Sequence, residues 1–423
     1  MFKSIVKFIF TSLLLCIVIF NVNACFVLDT SNEIYYNDIN VALSDVKNGC
    51  IGKHANLSSS QNVVKILKQN KHLDITLLQN IIIEQPLEII DVYFDLNGHS
   101  ITVKSDTGLI IGGKTEIIGN LEGSAILSDR DNVTLISIRR AATCKIYGGN
   151  FSVSANDGRL CGIHVYGNLE LYDTSILING NPTDQTNHSV YGIYGNLFSK
   201  VKIENSRIEA YTQDGNAFAF FNGDSAEVKD STLTGFSNYM SNESAFTQYS
   251  VGCYNNGTLA LTNCNVSGIH SGVDSCGSLI VNGGTYSGFG HGGIYFAGSN
   301  QTSYVVNATL QEIVMPDGYT SHGPNSTHGG CYIGGGNKND NLIVYMNNCK
   351  ILATKHAIVL RGTSHEKNNQ VYVSNTTIDV LSVRIDNDTH KLHIGMGCNF
   401  GQEHTTIPDV VYLTEDIYCE EQN

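Results

Sequence analysis

Apolar and polar residues alternate in short segments along most of the chain, and turn residues separate these segments. Clear examples end at Ile176, Ile208, Leu233, Val266 and Tyr286, and each carries Asn, Asp or Gly three places before that residue. Alternation with a period of two predicts β-strands. Because the segments recur about every 25 residues and no helical periodicity accompanies them, the pattern predicts a β-solenoid rather than a sandwich.

The repeat extends to ten coils with one shared position. The recurring apolar residue lies at Ile126, Phe151, Ile176, Ile208, Leu233, Val266, Tyr286, Leu310, Ile351 and Ile378. Only Asn, Asp or Gly stands three places earlier, and these residues tolerate a left-handed backbone. We therefore predict a bend at Gly123, Gly148, Asp173, Asn205, Asp230, Asn263, Gly283, Asn307, Asn348 and Asn375.

A second register follows in each coil, where a small residue precedes an apolar one. The apolar column predicted to point inward is Ile163, Ile193, Phe218, Cys253, Val273, Ile294, Cys331 and Ile358. The next position is predicted to face solvent as one stripe, formed by His164, Tyr194, Ala219, Tyr254, Asp274, Tyr295, Tyr332 and Val359.

The fold predicted from these registers is all-β: a right-handed parallel β-helix over residues 73–400, with an N-terminal capping segment over residues 25–72. A solenoid exposes backbone edges at its ends and needs such caps. Two short helical patterns, Ile39–Lys47 and Ser60–Lys68, lie in the first cap. Residues 401–423 are predicted to form an irregular acidic tail that serves as the second cap.

Residues 1–24 have the pattern of a secretory signal peptide. Lys3 and Lys7 precede an apolar segment, Phe8–Phe20, which is too short to span a bilayer, and small residues follow it. Cleavage after Ala24 would leave Cys25 first, and Val22–Cys25 also resembles a bacterial lipobox, which would place a lipid anchor on Cys25. We therefore expect a secreted or cell-surface protein without a membrane span.

The composition of the chain further restricts the classes of partner that it can bind. The formal net charge is −14 and only 15% of the residues are charged, whereas Gly occurs 42 times. Abundant Gly suits many tight turns. The acidic balance argues against nucleic acid as a partner, because binding phosphates requires a basic surface.

The twelve cysteines fit an oxidising compartment, where Cys25 with Cys50 and Cys398 with Cys419 are candidate disulfides. The chain also contains twelve Asn-x-Ser/Thr sequons, which either accept glycans in a secretory pathway or arise by chance in an Asn-, Ser- and Thr-rich sequence. Asn307 and Asn375 occupy the bend position, so we expect both to be structural and unmodified. The other ten sequons lie at Asn56, Asn132, Asn150, Asn187, Asn242, Asn256, Asn265, Asn300, Asn325 and Asn387.

These repeats, together with the entry segment from Ile75 to Ile101, resemble the right-handed parallel β-helix repeats of the pectate-lyase-like superfamily. The resemblance covers roughly residues 70–400. It implies the fold but not the chemistry, because such proteins include polysaccharide lyases, polygalacturonases, phage tailspikes and non-catalytic surface adhesins.

Candidate catalytic residues are His291, Asp274, His328 and Tyr295. Gly290-His291-Gly292 matches an element of polygalacturonases, but the paired aspartates that such hydrolases need are missing. Pectate lyases imply acidic Ca²⁺ ligands and a basic residue. Here the acids are scattered and only Arg361 lies in an outward strand position, although Ca²⁺ is compatible with an acidic secreted protein.

His270, His291, His328 and His356 form a predicted column that precedes the second-register strands. Stacked coils would place these imidazoles on consecutive rungs, where they could bind a transition metal or transfer protons. The alternative is a solvated polar column at a turn.

The Tyr residues of the stripe, Tyr194, Tyr254, Tyr295 and Tyr332, with His164 beside them, are candidate carbohydrate-binding residues. A tyrosine ring offers an apolar face together with a hydroxyl group. The alternative is that the rings stack on one another and stabilise the sheet.

The leading hypothesis is thus a surface-exposed, adhesin-like protein that binds an extended glycan and is not catalytic. The competing hypotheses are a polysaccharide lyase or glycoside hydrolase that acts on acidic polysaccharide along the same face, and a structural wall component.

Overall fold

The computed structural model describes residues 33–51, 64–68, 73–156, 158–180, 189–213, 215–237, 250–313, 329–334, 341–353, 356–360, 368–378, 384–385, 390–400 and 410–412. The predicted signal peptide, Cys25, Arg361 and His328 lie outside these residues. Within them are one helix, α1 (Ile39–Lys47), and thirty-nine strands.

The strands, in chain order, are β1 (Glu33–Tyr36), β2 (Val64–Lys68), β3 (Leu73–Leu77), β4 (Ile81–Ile83), β5 (Leu87–Ile90), β6 (Val92–Asp95), β7 (Ser100–Val103), β8 (Thr107–Gly112), β9 (Lys114–Gly119), β10 (Ala125–Ser128), β11 (Thr134–Ile138), β12 (Thr143–Gly148), β13 (Asn150–Ala155), β14 (Leu160–Val165), β15 (Asn168–Tyr172), β16 (Ser175–Gly180), β17 (Ser189–Gly195), β18 (Lys200–Glu204), β19 (Arg207–Thr212), β20 (Asn216–Asn222), β21 (Ser225–Lys229), β22 (Thr232–Ser237), β23 (Ser250–Asn255), β24 (Thr258–Gly268), β25 (Ser271–Ser275), β26 (Ser278–Gly288), β27 (Ile294–Phe296), β28 (Thr302–Val306), β29 (Thr309–Glu312), β30 (Gly329–Ile333), β31 (Ile343–Asn347), β32 (Lys350–Leu352), β33 (His356–Leu360), β34 (Gln370–Ser374), β35 (Thr377–Ile378), β36 (Arg384–Ile385), β37 (Lys391–Ile394), β38 (Asn399–Phe400) and β39 (Val410–Tyr412).

From β3 onward the paired strands are parallel, and each pairs with the equivalent strand of the next coil. Three stacks result, which we call sheet 1 (β3 through β15 to β39), sheet 2 (β4 through β16 to β38) and sheet 3 (β5 through β17 to β36). The long strands β24 and β26 run through both sheet 1 and sheet 2. This topology confirms the predicted parallel β-helix.

The bend between sheet 1 and sheet 2 has the predicted conformation. All ten predicted positions have positive φ, from +48° at Asp230 and Asn375 to +90° at Gly123. The apolar residue three places later pairs with its equivalent in the next coil, from Ile126 with Phe151 through to Ile351 with Ile378. Bend side chains also bond along the stack: Asn348 Nδ2 donates to Asn307 Oδ1 at 2.8 Å. Asn307 and Asn375 are therefore part of the bend, as predicted.

The cysteines do not form the predicted disulfides. Cys50 and Cys398, the members of the predicted pairs that lie within the described residues, are free thiols, and six of the nine cysteines in that part of the chain are buried. Cys264 and Cys349 follow the bend residues Asn263 and Asn348, and each thiol donates to a backbone carbonyl of an earlier coil at 3.3 Å. Ser231 and Thr376 occupy the same position in other coils and donate through their hydroxyls. These two thiols thus replace hydroxyls inside the turn. Cys25 and Cys419 lie outside the described residues.

Two predictions for the ends of the solenoid are wrong. Helix α1 forms as predicted, with Asp38 capping its first turn. Val64–Lys68, however, is not helical: it is β2, which pairs antiparallel with β1 and β3, because Val64 and Ile66 alternate into the core. At the other end, Val410–Tyr412 is not irregular but adds a strand to sheet 1.

Coil length varies mainly at the corner between sheet 2 and sheet 3. Only residues 156–159 separate β13 from β14, whereas residues 181–188 separate β16 from β17, residues 238–249 separate β22 from β23, and residues 313–328 separate β29 from β30. The strands on both sides keep their register across these longer connections.

We expect Asn348→Ala to lower the free energy of unfolding by about 2 kcal/mol, because alanine is strained at positive φ and the amide bond to Asn307 is lost. Asn348→Gly loses only the hydrogen bond and should cost about 1 kcal/mol. Urea unfolding followed by circular dichroism measures both. Equal losses for the two variants would contradict a contribution from the backbone conformation.

Candidate functional site

Strands of sheet 3 present two outward side chains because a small residue interrupts the alternation of inward and outward side chains. In β17, Val190 and Ile193 are buried, whereas Tyr191 and Tyr194 are partly exposed on either side of Gly192. A side chain at Gly192 would collide with Ile208 of sheet 2. The small residue therefore allows close packing inside, and Tyr191 and Tyr194 come together outside.

The outer row of sheet 3 runs in register over eight coils, and we call it the aromatic face. It comprises His164, Tyr194, Phe221, Tyr254, Asp274, Tyr295, Tyr332 and Val359. Seven of these eight positions are the predicted ones. Adjacent members are separated by one strand spacing, about 4.8 Å.

The prediction fails at β20, where Phe221 rather than Ala219 continues the row and Phe220 rather than Phe218 continues the inner column. Ala219 lies opposite Gly192 and is fully buried, so it is the small interrupting residue of this strand. The segment Ala217–Phe221 offers two alanines, and apolar patterning alone favoured the wrong one.

The first half of the aromatic face is a stack of rings. Phe221 stacks between Tyr194 and Tyr254, with centroids 4.8 and 5.0 Å apart and planes within about 21° of parallel. Tyr191 and Phe218 form a second stack beside it, at 5.2 Å. Arg159 lies over Tyr191 and Tyr194. Since the stacking axis runs along the solenoid, both faces of Phe221 are covered and its edge points outward.

In the second half, two members of the predicted histidine column are in direct contact. His270 Nε2 and His291 Nδ1 lie 2.8 Å apart, so one ring nitrogen donates to the other. The His291 ring packs against Tyr295 and Tyr332, each with a centroid distance of 4.6 Å. His291 and Tyr295, two of the proposed catalytic residues, are therefore in contact. His356 begins β33, and its backbone pairs with Gly329.

The row is less exposed than predicted. His164, Tyr194, Phe221, Tyr254 and Tyr295 are half-buried. Asp274, Tyr332 and Val359, by contrast, are only 2%, 3% and 0% exposed. Outward direction along a strand does not ensure contact with solvent, because the alternation says nothing about what packs over the sheet.

Asp274 is the most unusual group in the row. Its neighbours in the adjacent coils are Tyr254 and Tyr295. Its Oδ1 accepts no hydrogen bond from any of the described residues. Burial disfavours the charged form, and raises the pKa of Asp274 to about 7. A carboxyl group with that pKa can give or take a proton near neutral pH.

His164, at the other end of the row, is also buried enough for its pKa to shift. Burial, with a smaller contribution from the nearby Arg159, lowers its pKa to about 4. The imidazole is therefore neutral at pH 7. It contacts Tyr166 and Tyr194 through its ring, whereas its Nε2 has no hydrogen-bond partner among the described residues.

The described residues bring together no group of three or more His, Cys, Asp or Glu side chains that could hold a metal ion. The described residues therefore supply no set of ligands for the Ca²⁺ ion considered in the sequence analysis. In the same part of the chain, no helix is long and apolar enough to cross a membrane.

Sequence patterning missed a second ring ladder, on the outside of sheet 1. Tyr304, Tyr345, Tyr372 and His393 stack in single file, with centroids 4.3–5.3 Å apart. The signal was present, since these residues share a register position over four coils. Aromatic stacking along the coils is thus a general device of this solenoid.

Searches of protein-family models, curated proteins and solved structures found no match to this chain.

We expect Asp274→Asn to stabilise the protein at pH 8 but not at pH 4. The folded-state pKa of Asp274 lies above the ordinary value of 3.8, so the folded protein keeps a proton that the unfolded chain loses, and stability falls as the pH rises from about 4 to 7. Asparagine removes this penalty, by up to about 4 kcal/mol at pH 8. Urea unfolding across this pH range measures the effect, and equal pH profiles for both proteins would contradict it.

Proposed function

We propose that this protein binds an extended glycan along the aromatic face of sheet 3. The observation that carries the proposal is the row of half-buried His164, Tyr194, Phe221 and Tyr254 on four consecutive coils, repeated at one strand spacing. A surface that repeats along a line suits a ligand that repeats along a line, and a chain of sugars is such a ligand.

The stacking defines how such a ligand would be held. Because the rings of Tyr194, Phe221 and Tyr254 stack on one another, sugars would meet ring edges and tyrosine hydroxyls rather than broad ring faces. Tyrosine hydroxyls both donate and accept hydrogen bonds. The stacks also hold the rings in place, so little side-chain entropy is lost on binding.

Two further expectations belong to the same proposal. The three stacked sheets, with an Asn-rich bend between two of them, support placing the chain in the pectate-lyase-like superfamily that its repeats resemble. A secreted or cell-surface location, with or without a lipid on Cys25, rests on the N-terminal sequence pattern and suits a protein that captures glycans.

We expect Tyr254→Ala with Tyr295→Ala to weaken glycan retention at least about tenfold, because each substitution removes a ring and a hydroxyl from the row. Affinity electrophoresis of residues 25–423 against immobilised neutral and acidic polysaccharides measures retention. Tyr345→Ala is the matched control: it removes a comparable half-buried, stacked ring from sheet 1. Equal retention by all three proteins would overturn the assignment of the aromatic face.

Acid–base catalysis on a polysaccharide is the second candidate, and the raised pKa of Asp274 favours it. Asp274 would transfer the proton, and Tyr295 with His291 would lie next to it in the following coil. Only one perturbed carboxyl group is present among the described residues of the row, whereas glycoside hydrolases use two. A lyase therefore fits this site better than a hydrolase.

The lyase candidate predicts unsaturated sugar ends when the purified protein is incubated with acidic polysaccharide. Asp274→Asn should abolish their formation, because asparagine cannot take up the proton, whereas Tyr345→Ala should leave it unchanged. Absorbance of the unsaturated product measures the rate. Absence of product across uronate-containing substrates, with glycan retention intact, would leave binding as the function.

A further inference from the structure

The turn that leads from β17 into β18 holds a bulky residue in an unusual backbone conformation. A 3.1 Å bond between the terminal backbone groups of residues 196–199 closes a β-turn, and its third residue, Phe198, has a φ of +69°. The turn Leu121–Ser124 closes with the same bond, but there the third residue is Gly123. Every other non-glycine residue with positive φ in the described part of the chain is Asn or Asp. Phenylalanine is strained in this conformation, and such strain points to a function for its side chain.

The Phe198 side chain projects into solvent instead of packing against the fold. It is 68% exposed, and its neighbour Leu197 is 66% exposed. The guanidinium group of Arg140, two coils earlier, lies over the ring at 5.3 Å from its centroid. A ring that is covered on one side and is still mostly exposed leaves its other face open. Burial therefore does not offset the strain at this turn.

This open ring lies beside the first coils of the aromatic face. Arg140 and Phe198 belong to the coils on either side of the one that contains Tyr166, so their contact spans that coil. Tyr166 is 40% exposed, and its ring contacts His164, the first member of the aromatic face, at a centroid distance of 4.1 Å. The exposed rings thus continue the aromatic face around the corner between sheet 3 and sheet 1.

We propose that Phe198 is a stacking platform of the glycan site, on whose open face one hexose ring lies flat. The inference rests on the proposed glycan binding and adds what the stacked row lacks, because Tyr194 and Phe221 cover each other's faces. The C–H groups on one side of a hexose form an apolar surface, which suits an aromatic face. Arg140 forms no ion pair with the described residues, so its N–H groups can donate to hydroxyls at the edge of that sugar.

A lipid surface is the alternative occupant, because an exposed Leu–Phe pair beside a cation can insert into a bilayer. The contact with Arg140 favours the sugar. Inserting the Phe198 ring among acyl chains would carry the guanidinium charge toward them, which is costly. A sugar, by contrast, offers its apolar side to the ring and its hydroxyls to the guanidinium group.

The test compares substitutions in residues 25–423 by isothermal titration calorimetry with cellohexaose, mannohexaose and a galacturonate hexamer. Phe198→Ala and Phe198→Asn should each weaken binding of the probe that wild type retains by about tenfold, because both remove the ring. Phe198→Tyr and Leu197→Ala should match wild type. Phe198→Asn should nevertheless unfold at a higher urea concentration than Phe198→Ala, because asparagine tolerates positive φ better than alanine does.

A fluorescent variant tests the contact directly. The chain contains no tryptophan, so Phe198→Trp places one fluorophore at the platform. Glycan binding should shift its emission and reduce its quenching by acrylamide, whereas Tyr345→Trp, on sheet 1, should show neither change. Vesicles of phosphatidylcholine and phosphatidylglycerol should leave the emission of Phe198→Trp unchanged.

Each other outcome overturns a defined part. If wild type binds a probe and the Ala and Asn variants bind it equally well, the platform is refuted while glycan binding stands. If vesicles shift the emission of Phe198→Trp and no glycan does, the turn binds lipid instead of sugar. If Phe198→Asn is no more stable than Phe198→Ala, the strain that motivates the proposal is absent. If wild type binds no probe, the proposed glycan binding and the platform fail together.

Discussion

One backbone constraint governs the repeat: from β6 onward, each described coil turns from sheet 1 into sheet 2 at a residue that holds positive φ. Asn, Asp and Gly tolerate this conformation, and the ten predicted positions contain nothing else. The turn directs the next side chain inward, where Ser231, Cys264 or Thr376 bonds the backbone. The turn also places the apolar residue three positions later in the core. The register of all three sheets follows from this repeated turn.

Features set by local chemistry could be predicted from the sequence, whereas features set by packing could not. The bends, the inner columns and most of the aromatic face follow from residues within a few positions of one another. The choice between Ala217 and Ala219 as the small residue of β20 depends on which of them lies opposite Gly192 in another coil. In the same way, the strand at Val64–Lys68 depends on edges offered by β1 and β3. The burial of Asp274 depends on what covers the sheet.

The same stacking that suits the aromatic face to a repeating ligand also limits how that ligand is bound. Rings such as Phe221 stabilise neighbouring coils through their faces and leave their edges for contact. The stacked row ends at Tyr254, and the next coil offers a carboxyl group instead of a ring.

The longest connections lie at the corner before sheet 3, where added residues leave the strand pairing unchanged. A segment can be added where residues 181–188, 238–249 and 313–328 lie without shifting any strand pairing, so the penalty is only the entropy of closing a longer loop, which grows slowly with length. These segments lead directly into the strands that carry the aromatic face. A lineage, or an engineer inserting a reporter peptide, can therefore remodel the border of that face while the register of the coils stays fixed.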